Sequence, residues 1–441
     1  MPRTEPARGM RDFLPEDIRR REYVIGVIRR VYERYGFEPL ETPAVENLET
    51  LMGKYGEEGN QLIFKILKRG EHEASGQADL ALRYDLTVPL ARVVAQYQSK
   101  LPRLFKRYQI QPVWRADRPA RGRFREFCQC DVDSLGSTSP VIEAEVCAAV
   151  SDALTELGFT DFIIRLNHRQ LLTSILNAAG IAESLHGTAL VAVDKLDKIG
   201  PDGVKGEMRA RGVESAAAAR LLELFELLTK QRDQTRNVLG DEAGVAAFEN
   251  VEAIFAHSQG TSAATRLRFD PSLARGLSYY TGAIMEITVP DLAGSLGGGG
   301  RYDNLVGMFL GQSVAACGFS LGLERILVVM GERGMFPPNL TTTAADVMMA
   351  VFDAADAPHA LRVARVLRQC GLRVLVYPDA DKIGKQIKYA DSLAIPFVAI
   401  LGGNEIAAGT VTVKNLSAQT QATYDQAAAG GAILEELRQR G

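Results

Sequence analysis

Between about residues 168 and 262 the sequence changes character. This stretch is rich in Ala, Leu, Glu, Lys and Arg and holds few β-branched or aromatic residues, a composition that favours helices. The sequence on either side contains short apolar runs, charged turns and glycines, which are typical of strands. We therefore predict one sheet domain in two parts, residues 1–167 and 263–333, interrupted by a helical insertion domain at 168–262.

Local patterns in the first part of the sheet domain predict its elements. Apolar residues recur at helical spacing over 17–36 and 141–157, which predicts two amphipathic helices. From about 80 to 135, apolar runs flank the basic segment RADRPARGR, as in strands joined by a loop. We therefore expect an α+β domain built on an antiparallel sheet.

A second boundary follows the sheet domain. Pro337, Pro338 and a run of threonines mark a linker. Beyond it, apolar runs at 347–352, 372–377 and 397–401 alternate with helical patterns at about 358–370 and 382–393. This alternation predicts right-handed β-α-β units and a C-terminal α/β domain over 344–441.

Composition excludes several classes of protein. The chain has 441 residues, with 51 Lys and Arg, 54 Asp and Glu and 46% hydrophobic residues. This length excludes a single small binding module. The near-balanced charges and the hydrophobic content disfavour a disordered protein and a basic protein that covers nucleic acid in bulk. The sequence has neither the roughly 18 consecutive apolar residues of a membrane span nor a signal peptide. We therefore expect a cytoplasmic protein with no membrane partner.

The five cysteines are too few and too irregularly spaced for a disulfide framework, so reduced thiols are expected. Cys128 and Cys130 form a C-x-C pair that zinc sites also use. Because no second Cys or His pair lies at finger spacing, an alternating strand is the preferred interpretation. No metal ligands are predicted in the protein.

Three segments carry candidate functional residues. The first, 104–133, holds seven basic side chains within a strand, loop and strand pattern, namely Lys106, Arg107, Arg115, Arg118, Arg121, Arg123 and Arg125. Arginine forks match phosphate oxygens, but a charge run is more often a solvated loop. Composition alone leaves these two interpretations even.

The second segment is rich in glycine. It comprises 275–282 and 296–303, with four consecutive glycines at 297–300. Such a run is useful where backbone must lie flat against a ligand. It is neither a Walker loop nor a dinucleotide fingerprint, because no Gly-Lys-Ser/Thr follows and it does not open a helix. Flanking aromatic residues make a flexible surface loop the weaker alternative.

The third segment, 318–327, reads as a strand that runs into a helix with Arg325 near the helix start. Taken alone, an arginine there is more simply explained as the partner of a carboxylate. Its meaning depends on the other two segments.

Together and in this order, the segments resemble the three signature motifs of class II aminoacyl-tRNA synthetases, and in detail those of the histidyl-tRNA synthetase family. The matching peptides are RGMRDFLP, LRYDLTVPLAR, VWRADRPARGRFREFCQCDVD, LARGLSYYTG, LGGGGRYD and GFSLGLERIL. Residues 382–391 resemble part of the anticodon-binding domain that these enzymes carry. The resemblance covers nearly the whole chain and is least specific over 168–262.

The resemblance implies ATP-dependent activation of histidine to histidyl-adenylate, followed by transfer to histidine tRNA. It implies that Arg115 binds the α-phosphate and the substrate carboxylate, with Arg123 also at the ATP. Arg325 is expected at the distal phosphates and Arg275 at the reacting phosphate from the opposite side. A metal ion, Mg²⁺, is expected to accompany the ATP and share its negative charge.

The resemblance also assigns the amino-acid pocket. Asp85, Thr87 and Gln129 match positions that bind the α-amino group. Asp133 and Tyr280 match those that hydrogen-bond the imidazole, with Tyr279 and Tyr302 close by. Arg115 and Arg275 are expected to contact the histidine as well.

Three positions depart from the family pattern. Asp85 and Asp133 replace glutamates that many members carry, which keeps the charge but shortens the reach by one methylene. Ser278 stands where an aspartate is usual and removes a charge beside the site. We expect activity to survive these changes, because the hydrogen-bonding types at the substrate contacts are kept.

The resemblance also bears on the oligomeric state and on two alternative functions. A homodimer is implied, with the motif 1 region, about residues 16–50, in its interface. One alternative function is a non-catalytic paralogue that senses histidine, such as the regulatory subunit of ATP phosphoribosyltransferase. Because such paralogues lose the Arg-Gly-Leu peptide or the C-terminal domain, and this chain keeps both, the enzyme is preferred. A synthetase of the same subclass for proline or threonine is the other alternative.

Overall fold

A computed structural model describes residues 4–70, 75–274, 279–341 and 343–439. Its helices are α1 Pro15–Arg34, α2 Leu48–Leu51, α3 Gly56–Gln61, α4 Thr87–Gln96, α5 Val141–Glu156, α6 Arg169–Ala178, α7 His186–Val193, α8 Leu196–Ala210, α9 Ser215–Lys230, α10 Thr235–Val238, α11 Glu242–Ser258, α12 Gly307–Leu310, α13 Leu323–Glu332, α14 Ala357–Gln369, α15 Ile383–Ser392, α16 Gly403–Ala408 and α17 Ala429–Arg438.

Its strands are β1 Glu38–Pro39, β2 Val45–Asn47, β3 Lys65–Leu67, β4 Ala78–Leu82, β5 Phe105–Trp114, β6 Glu126–Leu135, β7 Ile163–His168, β8 Leu267–Phe269, β9 Ala283–Thr288, β10 Gly297–Arg301, β11 Ala316–Gly322, β12 Val347–Val351, β13 Val374–Val376, β14 Phe397–Leu401, β15 Thr410–Asn415 and β16 Thr420–Asp425. The residues fall into two compact units that divide between Phe336 and Pro337.

The first unit is built on an eight-stranded sheet with the order β1-β5-β6-β11-β10-β9-β7-β8. The six inner strands pair antiparallel, which confirms the predicted sheet and the hairpin β5–β6. Each edge adds a parallel pair, β1 with β5 and β7 with β8. The second pair follows from the inserted helices, because parallel neighbours need a long crossover between them.

Helices cover one face of this sheet. The helix α1 turns Val24, Ile28 and Val31 inward and ends before Gly36, whose φ of 73° suits a glycine. The helix α5 ends in the same way before Gly158. Both helices therefore lie close to their predicted limits, and both pack in one hydrophobic core with β6.

The segment between β7 and β8 is helical, as its composition predicts, and contains α6 to α11. Leu172 of α6 and Phe248 of α11 share a buried cluster with Val132 of the sheet. The inserted helices thus bury their apolar faces against the sheet unit and against one another. The proposed limits of an insertion domain, 168–262, remain a prediction.

The second unit carries a five-stranded sheet with the order β13-β12-β14-β15-β16. The strands β12, β13 and β14 are parallel and β15 and β16 are antiparallel. Helices α14 and α17 pack on one face and α15 on the other. The predicted strand and helix alternation is therefore present.

Candidate active site

The face of the large sheet opposite α1 and α5 forms the floor of a cavity of about 370 Å³. Strands β6, β9, β10 and β11 and the start of α13 contribute to its lining. Every predicted site residue that the structure describes lines it: Asp85, Thr87, Arg115, Arg123, Gln129, Asp133, Tyr279, Tyr280, Tyr302 and Arg325. Arg275, the remaining predicted site residue, lies outside the described residues, as does Ser278.

Alternation along β6 explains how one strand serves both the core and the cavity. Successive side chains of a strand point to opposite faces. Cys128 and Cys130 therefore join the buried core, while Gln129, Asp131 and Asp133 line the cavity. The C-x-C pair is explained by its place in this strand.

Close strand packing explains the glycines around Asp133. Gly318 of β11 pairs with Asp133 in register, and a Cβ atom on it would lie 1.9 Å from Oδ1 of that carboxylate. On Gly299 a Cβ atom would lie 2.2 Å from the carbonyl oxygen of Gly318. The glycine run thus lets two backbones approach beside the carboxylate, and 297–299 also line the cavity.

The Asp133 carboxylate is buried and held from two sides. Tyr302 donates a hydrogen bond from its hydroxyl to Oδ1, and Nη2 of Arg107 lies 2.8 Å from Oδ2. Burial raises the pKa of Asp133, and Arg107 and then Tyr302 oppose that rise. Its Oδ2 atom pairs with Arg107 by charge but accepts no hydrogen bond from the described residues.

Asp85 is fixed by a second network at the start of α4. Its Oδ1 accepts hydrogen bonds of 3.0 Å from the Val88 amide and from the Tyr55 hydroxyl, and its Oδ2 accepts one of 3.2 Å from Tyr279. An aspartate suits this place because its oxygen satisfies an amide in the first turn of the helix. Burial raises the pKa of Asp85, although these hydrogen bonds oppose the rise.

The arginines of the cavity are held more loosely. Nε of Arg115 donates to the Tyr84 carbonyl at 3.0 Å, and its guanidinium lies 4.3 Å from the Tyr84 ring and 5.2 Å from that of Phe127. Arg325, the third residue of α13, donates to the carbonyl of Ser295. Arg123 forms a 2.7 Å ion pair with Asp117.

The basic run thus serves both purposes that its composition allows. Arg115 and Arg123 line the cavity, whereas Arg118 and Arg121, which are exposed as Arg123 is, are not part of its lining. Arg121 pairs with Glu332 at the surface. Arg107, at the other extreme, is completely buried.

The N-terminal peptide is connected to the same cavity. Arg21 forms a 2.6 Å ion pair with Glu324, whose other oxygen accepts a 2.8 Å hydrogen bond from the Cys128 amide. The guanidinium of Arg11 lies 3.4 Å from the centre of the Phe124 ring. Segments far apart in sequence therefore support one site.

Comparison with known proteins assigns the chain to a family. The family model for histidyl-tRNA synthetase matches residues 9–326, and that for an anticodon binding domain matches 346–436. A histidine–tRNA ligase of Christiangramia forsetii is 40% identical, over 97% of this chain and 98% of the relative. One of Porphyromonas gingivalis is 42% identical, over 93% and 94%.

The chain belongs to the histidyl-tRNA synthetase family.

A solved histidyl-tRNA synthetase from a Nostoc species is similar to this chain, with a TM-score of 0.80 and 31% sequence identity. The match covers 99% of this chain and 100% of the Nostoc chain. A Bacillus halodurans structure described as an ATP phosphoribosyltransferase regulatory subunit/histidyl-tRNA synthetase has a TM-score of 0.73 at 22% identity over 90% of this chain. The second likeness shows the fold alone. The family assignment makes the chain an aminoacyl-tRNA synthetase and confirms the class II catalytic fold with its anticodon-binding domain.

The sequence interpretation missed several residues of this synthetase cavity. Asp131 and Glu286 line it, Arg107 and Tyr55 bond its carboxylates, and Glu324 joins two of its segments. Asp131 could have been found from strand alternation, since it lies between Gln129 and Asp133. Arg107 needed the register of the hairpin, which places it opposite Asp133.

In the described part of the synthetase chain, no three His, Cys, Asp or Glu side chains cluster as metal ligands would. Among the same residues, no helix combines the length and apolar composition that a membrane crossing needs.

Proposed function

We propose that this chain activates L-histidine with ATP, forming histidyl-adenylate and pyrophosphate, and then transfers histidine to the 3′-terminal adenosine of histidine tRNA. One observation carries the proposal. The residues that the family pattern assigns to histidine and to ATP converge on a single cavity wherever the structure describes them.

Buried acceptors without partners support histidine as the substrate. Gln129 Oε1 and Asp131 Oδ1 are buried and accept no hydrogen bond from the described residues, and both side chains line the cavity. A buried acceptor left unsatisfied costs about 1–3 kcal/mol. A ligand with an ammonium group and a ring N–H, as in histidine, would supply the missing donors.

In the proposed complex, Asp133 and Tyr280 hydrogen-bond the imidazole, with Tyr279 and Tyr302 beside it. Asp85, Thr87 and Gln129 receive the α-amino group. The carboxylates carry the negative charge that attracts the ammonium group, and their hydrogen bonds to tyrosines keep them in place. The carboxylate of the substrate is then left to face Arg115.

The proposed chemistry is an in-line displacement at the α-phosphate. A carboxylate oxygen of histidine attacks the phosphorus, the bond to the bridging oxygen breaks, and pyrophosphate leaves. Arg115 stabilises the charge that builds on the α-phosphate, Arg325 and Arg123 bind the distal phosphates, and Arg275 approaches from the opposite side. The guanidinium of Arg115 lies 4.3 Å from the Tyr84 ring and 5.2 Å from the Phe127 ring and lines the cavity, which supports this role.

We propose that Mg²⁺ enters with the ATP. Magnesium commonly uses one or two carboxylates together with substrate phosphates rather than a cage of protein ligands. The cavity lining includes the carboxylate of Glu286, which also pairs with Arg165 at 3.3 Å and could contribute such a ligand. The ion would share the negative charge of the phosphates, while the arginines orient them.

The tRNA partner, the oligomeric state and the cellular location follow from the same family pattern. The C-terminal unit is proposed to bind the anticodon, in keeping with its family match over 346–436. The functional form is proposed to be a cytoplasmic homodimer with about residues 16–50 in its interface. Two-fold interfaces of permanent dimers are usually large and apolar. Sedimentation of a stable and active monomer near 48 kDa would contradict the dimer.

The test of the proposed function is ATP–pyrophosphate exchange with each of the twenty amino acids, followed by charging of histidine tRNA. Exchange with histidine alone, and charging of its tRNA, are expected. Exchange with proline or threonine would favour the other synthetase. Histidine binding without any exchange would favour a sensor such as the phosphoribosyltransferase regulatory subunit.

A further inference from the structure

Two carboxylates and one arginine form a buried cluster under the cavity. Asp131 and Asp133 are each 2% exposed and Arg107 is 0% exposed. Nη2 of Arg107 lies 2.8 Å from Oδ2 of Asp133 and 3.8 Å from Oδ2 of Asp131. One guanidinium thus faces two carboxylates, in the hairpin register that pairs Arg107 with Asp133.

The other contacts of Arg107 fix it without neutralising it. Its Nη1 donates to Gln109 Oε1 at 3.2 Å and its Nη2 to the Leu86 carbonyl at 3.3 Å. Both acceptors are uncharged, so they orient the guanidinium while the carboxylates provide its countercharge. Burying two like charges together is costly unless a cation compensates for them.

The surroundings of the cluster add negative charge and neutral donors. Tyr302 donates to Asp133, and Ser320 lowers the pKa of Asp131. Further groups that interact electrostatically with these two carboxylates come from other elements: Asp85, Tyr280, Cys317 and Tyr32. Within this described set Arg107 is the cation.

We propose that Arg107 is a positioning residue for histidine selection, which keeps Asp133 ionised and turned toward the cavity so that the carboxylate accepts a hydrogen bond from the imidazole. This inference rests on the proposed function. It assigns Arg107 no contact with the substrate, because Arg107 acts through Asp133.

The direction of the pH effect follows from the charges. Burial and the charge of Asp85 raise the pKa of Asp133, and Arg107 lowers it. Burial raises the pKa of Asp131 to about 7, with Arg107 again opposing. Without Arg107, Asp133 would hold its proton to higher pH. A protonated Asp133 is a poorer acceptor, so histidine affinity should fall most at low pH and recover as the pH rises.

The experiment compares Arg107→Met with the wild-type enzyme by ATP–pyrophosphate exchange between pH 6 and 9. The ratio of the two KM values for histidine cancels the titration of the substrate ring. We expect the KM of Arg107→Met for histidine to exceed that of the wild type by roughly 30-fold or more near pH 6.5, the order expected when one partner of a buried charge pair is removed. This ratio should fall markedly toward pH 9. The kcat and the KM for ATP should change much less. A ratio that does not vary with pH would overturn the proposal.

Two arginine variants separate positioning from folding. Arg107→Lys keeps the charge and should recover most of the affinity without the pH dependence. Arg83→Met removes another buried arginine, whose donors go to the Thr42 and Pro112 carbonyls rather than to a cavity carboxylate. It should lower the thermal stability but leave the KM ratio independent of pH.

A double-mutant cycle tests the route through Asp133. Asp133→Asn is permanently neutral, so Arg107→Met in that background should raise the KM for histidine less than threefold, about the error of additivity. A full further loss would show that Arg107 acts elsewhere and would overturn the proposal.

The variant Asp131→Asn is nearly isosteric and keeps the proposal testable if Arg107→Met does not fold. Removing the competing carboxylate should lower the pKa of Asp133, so the acid limb of histidine affinity should move to lower pH. No movement, or a movement to higher pH, would overturn the role of Arg107. Failure of the wild-type enzyme to exchange pyrophosphate with histidine would instead refute the proposed function, so the two failures are distinct.

Discussion

The two sides of the cavity are built differently. On the histidine side, Asp85, Asp133, Tyr279 and Tyr302 are at most 6% exposed and form two hydrogen-bonded pairs, Tyr279 with Asp85 and Tyr302 with Asp133. On the phosphate side, Arg115 stacks on Tyr84, Arg325 bonds Ser295 and Arg123 pairs with Asp117, and the Arg123 side chain is 51% exposed. A buried network is rigid and selective, whereas open arginines can follow a charged substrate. We therefore expect a single substitution on the histidine side to abolish specificity for histidine. On the phosphate side, we expect each single substitution to weaken ATP binding only in part.

The largest effect is predicted for Asp133→Ala. Sites built to satisfy buried polar groups reject ligands that lack the matching group by about 10⁴-fold or more, and removing the acceptor should cost a similar factor in kcat/KM for histidine. Pyrophosphate exchange at varied histidine concentration measures it. The control is Asp152→Ala, which removes a carboxylate of α5 that accepts a hydrogen bond from Tyr35, just after α1. Wild-type affinity in the Asp133 variant would show that the buried network does not select histidine.

Arg275→Ala should have the next largest effect. This side chain is expected to stabilise charge that exists only in the transition state, so its loss should lower kcat by roughly 10²–10³-fold, as for one preorganised donor. The KM for histidine should change less. Single-turnover formation of the adenylate measures the step directly. Near-normal exchange would remove Arg275 from the mechanism and leave the phosphate side to Arg115 and Arg325.

The same contrast explains what the sequence could predict. The motif peptides located every predicted histidine- and phosphate-binding residue that the structure describes, because the family resemblance is carried by short contiguous peptides. The alternation that makes Cys128 and Cys130 core residues was also visible. Arg107 was visible only as one basic residue among seven, because its role depends on the β5–β6 register. Tyr55 reaches Asp85 through a tertiary contact that no spacing encodes.

Removing the C-terminal unit should separate binding of tRNA from the chemistry. A chain ending near Pro337 keeps the whole cavity, so exchange of pyrophosphate with histidine should remain near normal. Charging should require roughly 10²-fold more tRNA, because losing one of two linked binding sites costs avidity of that order. Initial charging rates at several tRNA concentrations measure the apparent KM. Equal rates for both chains at low tRNA concentration would show that this unit has another purpose.

The smallest effect is predicted for Arg123→Ala, and it tests the comparison most sharply. Arg123 already pairs with Asp117 at 2.7 Å, with its own side chain half exposed. Exposed ion pairs are typically worth about 0.2–1 kcal/mol, so the KM for ATP should rise by no more than about fivefold, with histidine affinity unchanged. Arg121→Ala, in the same loop but paired with Glu332 outside the cavity, should leave the KM for ATP unchanged. A loss above roughly 100-fold, equal to about 2.7 kcal/mol, would mean that the loop closes over ATP and desolvates Arg123. The phosphate side would then become as tightly organised as the histidine side once its substrate is bound.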